Sequence, residues 1–211
     1  MITLYTWTTP NGRKISIALE EMGLAYQVTP IDLSNNAQFT PEFLAIGANN
    51  KIPAIIDHDT PDGPLSLFES GAILVYLAEK SGKFLPASGA ARALTLQWLF
   101  WQMAGVGPIF GQLFYFATRA PERLPAAIAR FQDEAIRLLG VMEKQLTAQA
   151  FLAGADYTIA DMATYPWLAV ALPALRGLAG EAMPSTPAID RWLTTLAARP
   201  AVQTGMAIPK L

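Results

Sequence analysis

Three short stretches of this chain carry side chains suited to holding a polar ligand. The first is Thr8-Thr9-Pro10-Asn11-Gly12-Arg13-Lys14, which follows the apolar run "ITLYTW". Asn-Gly after such a run commonly turns a hairpin. Here Ile15, Leu19 and Met22 recur at three- and four-residue spacing, so the turn feeds a helix over 12–22 instead. Thr9 and Asn11 then offer a hydroxyl and an amide at a helix start, whose dipole favours an anion. A thiolate suits that position, because thiol pKa values near 8.5 fall to about 3.5–7.5 at helix N-termini or beside positive charge. The same residues also serve as a plain turn.

The second stretch is Asn49-Asn50-Lys51-Ile52-Pro53. Pro53 is tolerated as the first residue of a strand and pushes Ile52 toward extended geometry, leaving the Ile52 backbone groups available to an extended peptide. Lys51 suits a terminal carboxylate; an edge strand with a solvated lysine explains the residues equally well. In the third stretch, Glu69-Ser70, a strand ends and a helix begins. Helix-start amides and the Ser70 hydroxyl suit a carboxylate, while Glu69 suits an ammonium. The pair fits an amino-acid head group, although Ser70 alone reads as an N-cap. An amino-acid grip, a peptide edge and an anion nest together match γ-glutamyl-cysteinyl-glycine.

Composition narrows the chemistry. The 211 residues include no cysteine and one histidine, His58, in a loop with no partner constellation. Cysteine-based zinc sites, disulfides, Cys–His nucleophiles and a Ser–His–Asp triad are therefore removed, and thiol chemistry must borrow its sulfur. Fifteen basic and 17 acidic residues give a net charge of −2, with no phosphate-backbone footprint, so no nucleic-acid partner is expected. The start lacks a signal-peptide pattern, and a cytoplasmic location is the expectation. Residues 93–118 carry no charge at all. Gly105, Gly107, Pro108 and three glutamines interrupt them, so two buried helices, or one kinked at Pro108, are expected rather than a membrane span. Close helix packing also accounts for Gly105, Gly107 and Gly111 better than a dinucleotide loop does.

The elements that must position these residues fall into two kinds. Residues 1–82 alternate strand and helix signals: "ITLYTW", a helix over 12–22, a near-edge strand over 26–33, a helical turn at 41–45, strands at 53–57 and 65–68 around a turn at 61–63, then a helix from Ser70 to Gly82. This is an α/β pattern in thioredoxin-like order. After a linker at 83–89, residues 90–211 read as all-helical, with segments near 90–104, 109–118, 124–148, 159–172 and 187–198. Thr158 and Asp161 form a capping box, so Asp161 is read as structural rather than catalytic.

"TTPNGRKISIALEE", "QFTPEFLAIGANNKIPAI" and "LFESGAILVYLAEKSG" together resemble the cytosolic glutathione transferases, most closely the bacterial Nu class of glutathione-dependent disulfide-bond oxidoreductases. The resemblance spans essentially the whole chain. It implies that Glu69 and Ser70 bind the γ-glutamyl group, that Ile52 before a cis Pro53 holds the cysteinyl backbone, and that Gln38, Asn50 and Lys51 line the remaining contacts. It further implies that Thr9 and Asn11 address the sulfur and that Arg130 meets a second glutathione carboxylate. Two glutathiones or one glutathione disulfide per site, no metal, and a homodimer follow from the same likeness. The tyrosine, serine or cysteine of many classes is replaced by Thr-Pro-Asn, with Tyr5, set within the preceding strand, as the other candidate for the thiol. The expected activity is reduction of small disulfides by bound glutathione. The alternatives are conjugation to electrophiles, with an acceptor pocket from "QWLFWQ" and "GQLFYF", and a non-catalytic glutathione-binding protein.

Overall fold

The computed structural model describes residues 1–210 and divides into two compact units, residues 1–87 with 197–210, and Ser88–Leu196. The helical domain expected over 90–211 thus loses its end: the last helix, Pro200–Met206, packs on the first unit. Sequence periodicity does not reveal this. The closing helix has only seven residues, and its fit depends on Gly205, where a Cβ would stand 2.6 Å from the Ile17 backbone.

The first unit is built on a four-stranded sheet in the order β2-β1-β3-β4, from β1 (Ile2–Thr6), β2 (Tyr26–Pro30), β3 (Ala54–Asp57) and β4 (Leu65–Phe68). β1 and β2 run parallel and the other pairs antiparallel, the βαβ-plus-hairpin order read from the sequence. β2 is an edge strand, as Pro30 requires. β3 is not an edge. It pairs on both sides, so its Pro53 lies just before the ladder rather than at an exposed rim.

Side-chain alternation splits the sheet's two faces. Ile2, Leu4 and Ile55 are buried on the face served by α1 (Pro10–Met22) and α3 (Ser70–Ser81), two helices that pack on each other and bury Ile15, Leu19, Ile73, Leu74 and Leu77. On the other face Tyr5 and Ala54 meet Phe43 of α2 (Pro41–Leu44), together with Ile31 and Ile52. Gly23 and Gly82 end α1 and α3 in the left-handed conformation.

In the second unit α4 (Gly89–Trp101) passes through a π-helical turn, Gln102–Val106, into α5 (Gly107–Thr118). Pro108, which has no N–H to donate, is the second residue of α5, directly after the π-helical turn. The uncharged stretch is therefore one helical path with a π-bulge in place of two separate helices or a kink at Pro108. Gly105 allows Leu138 to approach within 3.4 Å of where a Cβ would stand. That contact belongs to α6 (Pro125–Ala148), which also stacks Phe131 on Phe116 of α5 at 5.6 Å. α7 (Ile159–Ala179) continues past the expected end at 172, through both Pro166 and Pro173, and α8 (Pro187–Ala197) follows. Among the described residues no helix is long and apolar enough to cross a membrane.

Candidate glutathione site

The strand register brings three loops to one end of the sheet. β1 runs out at Thr6; Ala54, the first residue of β3, pairs with Tyr5 of β1 and with Phe68, the last residue of β4. The segments 7–11, 49–53 and 69–70 therefore leave the sheet side by side. Two hydrogen bonds tie them further: Asn49 Nδ2 donates to Glu69 Oε1 at 3.3 Å, and Lys14 Nζ to Ser70 Oγ at 3.4 Å.

At the first loop the helix begins at Pro10, two residues before the expected start. Thr9 is its N-cap, with extended backbone, and its Oγ1 accepts from Gly12 N at 3.2 Å. That bond uses one lone pair and leaves the Thr9 hydroxyl hydrogen to donate outward. Asn11 lies in the first helical turn, half-buried. Gly12 is required here, since a Cβ would stand 2.5 Å from Trp7 O and collide with Thr6 Oγ1. Helix α1 thus starts pressed against the end of β1. Tyr5 packs its ring against Phe43 on the far face.

The second loop carries Asn50 at φ 48, exposed Lys51, and a cis peptide between Ile52 and Pro53. Ile52 is buried in the cluster of Phe43 and Ala54 and lies outside the ladder, which begins at Ala54. Ala37 packs against the same cluster, and the Oε1 of its neighbour Gln38 is shielded from solvent with no hydrogen-bond partner. An acceptor in that state has capacity for a donor.

At the third loop the structure corrects the reading of Ser70. The N-cap is Glu69, at φ 71 and ψ 110, and it makes no side-chain cap; Ser70 is the first helical residue and is buried. A glutamate in that region of backbone space is strained, of order 1–3 kcal/mol. The distortion turns an exposed carboxylate and a buried hydroxyl to the same helix start.

The sequence reading missed one residue. Lys14 is 2% exposed, and burial pushes its ammonium down to about 7, against the pull of the Glu69 carboxylate. The signal lies in the helical period: Lys14 shares a face with Ile17 and Ala18, both fully buried. Arg130 belongs to the second unit, exposed on α6, so it is not among the residues these three loops assemble. His58 is exposed, its ring bonded to Thr3 Oγ1, and plays no part here.

Residues 1–79 match the family model "Glutathione S-transferase, N-terminal domain", and residues 108–200 match "Glutathione S-transferase, C-terminal domain". The chain is 49% identical over 212 residues to the disulfide-bond oxidoreductase YfcG of Escherichia coli (strain K12), covering 100% of this chain and 95% of that protein. A glutathione transferase from Burkholderia graminis, crystallised with two glutathione molecules bound per subunit, is 45% identical with a TM-score of 0.93, covering 99% of this chain and 88% of that one. A glutathione transferase from Pseudomonas putida, crystallised with one glutathione disulfide bound per subunit, is 44% identical with a TM-score of 0.92, covering 99% and 91%.

Proposed function

Because the chain belongs to the glutathione S-transferase family, we propose that this enzyme reduces small disulfides with the thiolate of bound glutathione as its nucleophile. The observation that carries the proposal is the pairing of three polar loops, gathered at one end of a sheet, with a chain holding no cysteine. The sulfur has to arrive with the ligand. Relatives seen with two glutathiones, or with the disulfide, support a site sized for both partners of an exchange.

In this reading Glu69 takes the ligand ammonium and Ser70, with the first amides of α3, its carboxylate. Ile52 hydrogen-bonds the cysteinyl backbone beside cis Pro53, while Gln38, Asn50 and Lys51 hold the rest of the peptide. Thr9 donates to the sulfur, and Asn11 with the start of α1 holds the negative charge there. The glutathione thiolate attacks one sulfur of the substrate disulfide, a thiolate leaves, and a glutathione mixed disulfide remains. A second glutathione, its carboxylate met by Arg130, attacks the glutathione sulfur of that bond as a thiolate, expels the remaining half of the substrate as a thiolate and yields glutathione disulfide. The protein supplies position and thiolate population, not a covalent intermediate. Modest lowering of the thiol pKa suits the chemistry, because nucleophilicity falls as pKa falls. A homodimer and a cytoplasmic location complete the proposal.

The test is turnover of 2-hydroxyethyl disulfide with glutathione, run beside a chloronitrobenzene electrophile. Rapid disulfide reduction with slow conjugation is expected. The reverse pattern would make this a conventional transferase with an unusual thiol-binding turn, and silence in both would leave a binding protein.

A further inference from the structure

We propose that Arg13 reads the charge of the substrate, so that this enzyme favours disulfides that carry a carboxylate a few bonds from the sulfurs. The role rests on the glutathione reading above and gives that reading a substrate class.

Arg13 follows the Asn11-Gly12 turn and lies near the start of α1. Its amide donates to Thr9 O at 3.1 Å, so it stands one helical turn beyond Thr9 and on the same face. Helical side chains lean back toward the N-terminus, and Arg13 therefore covers the turn that carries Thr9. The side chain is half-buried. Its Nε is shielded from solvent with no hydrogen-bond partner, and its Nη groups, bonded to none of the described residues, reach solvent.

A helical arginine finds an internal acid most readily three or four residues away. Here those neighbours are Thr9, Pro10, Ser16 and Ile17. The two carboxylates of α1 lie further along and are engaged: Glu20 accepts from Tyr26 Oη at 2.6 Å, and Glu21 pairs with Arg199 at 2.6 Å. Glu69 holds Asn49 and is assigned to the ligand ammonium. Among the described residues no carboxylate pairs with the Arg13 guanidinium.

A guanidinium walled off at Nε and open at Nη presents a donor fork that matches a carboxylate. The bound glutathione does not supply one, since its carboxylates are met at Ser70 and at the Lys51 loop, and the second glutathione is met by Arg130. Its sulfur sits ahead of α1, where the Thr9 hydroxyl and the helix-start amides serve it. Arg13 stands on the flank of that helix, so its fork meets what is bound beside the sulfur, which is the disulfide under attack.

Three disulfides of similar size separate the cases: dithiodipropionate is anionic, 2-hydroxyethyl disulfide neutral and cystamine cationic. Each kcat/KM at saturating glutathione is divided by the uncatalysed rate constant with glutathione, which removes the reactivity of the leaving thiol. The wild-type enzyme should rank anionic above neutral above cationic, with about tenfold between the first two. The advantage should lie in KM, because a carboxylate away from the reacting bond is held equally before and in the transition state. It should shrink as salt is added. Arg13→Gln should level the ranking, and Arg13→Lys, which keeps the charge and loses the fork, should keep part of it. A wild-type enzyme with no preference for the anionic disulfide would overturn the proposal even if Arg13→Gln failed to fold. An equal loss on all three substrates in a folded Arg13→Gln would overturn it too, and would move Arg13 to the glutathione sulfur. If the wild-type enzyme turned over none of the three, the disulfide-reductase reading itself would fall, and the role of Arg13 with it.

Discussion

Helices α3 and α7 both begin beside a carboxylate, and the chain treats the two beginnings in opposite ways. At α7, Asp161 is fully buried and each of its oxygens holds two donors: Leu152 N and Trp192 Nε1 on Oδ1, Thr158 N and Thr158 Oγ1 on Oδ2. Burial pushes its pKa upward, and those donors pull the other way. The capping box is closed by the protein's own groups, so Asp161 has no capacity left for a ligand. At α3, Glu69 caps nothing, holds a strained backbone and is exposed, with Asn49 on one oxygen. An acidic residue at a helix start is thus a strut where the fold consumes its acceptors, as at Asp161, and stays open to other partners where the fold leaves it exposed, as at Glu69.

Breaking each start in turn should separate stability from binding. The largest effect is expected for Asp161→Ala, which leaves two backbone amides and an indole N–H buried without acceptors. We expect a loss of about 3 kcal/mol in unfolding free energy by chemical denaturation, with glutathione affinity of the folded fraction unchanged. A stability within about 0.5 kcal/mol of wild type would show that water replaces the carboxylate. Glu69→Gly should do the opposite. Glycine accepts the positive φ at no steric cost, so stability should rise by about 1 kcal/mol. Loss of the charged contact should weaken glutathione binding roughly ten- to a hundredfold. A variant that bound glutathione normally would remove Glu69 from the site.

A third variant sharpens the comparison inside the site. Asn11→Ala should lower disulfide turnover about tenfold, the worth of one hydrogen bond to a charged sulfur, while glutathione affinity shifts less. Ultraviolet absorbance of the bound thiolate should fall in parallel. Unchanged turnover would unseat Asn11.

The fold class and the three loops were legible because their signals are local. Alternation marks the strands, the 3.6 period marks α1 and α3, and Pro53 before an apolar run announces the start of β3. Thr158 and Asp161 also announced their box, three residues apart. What escaped depended on partners distant in sequence. An edge position for β3 stayed open because nothing in "KIPAIID" reveals a strand on each side. Ser70 looked like the N-cap because the positive φ of Glu69 is set by its surroundings rather than by its residue type. The path of α7 through Pro166 and Pro173 is a tertiary override of a local helix breaker. Lys14 was visible as a lysine on an apolar face, but its meaning needed the position of Ser70, 56 residues away.

The smallest expected effect compares the two threonine caps. Thr9 Oγ1 caps α1 through Gly12 N, and Thr158 Oγ1 caps α7 through Ala160 N. Removing either hydroxyl by Thr→Ala should cost about 1 kcal/mol of stability, because each frees one amide at a helix start. The caps differ in what remains. Thr158 Oγ1 also donates to Asp161, so its capacity is spent within the fold. The hydroxyl hydrogen of Thr9 is the one assigned to the glutathione sulfur, so Thr9→Ala should in addition slow disulfide turnover, and Thr158→Ala should not. Thr9→Ser, which restores the hydroxyl without the methyl, should recover both stability and rate. If Thr9→Ala lost stability alone, the start of α1 would be a cap of the same kind as α7, and the sulfur would rest on Asn11 and the helix amides.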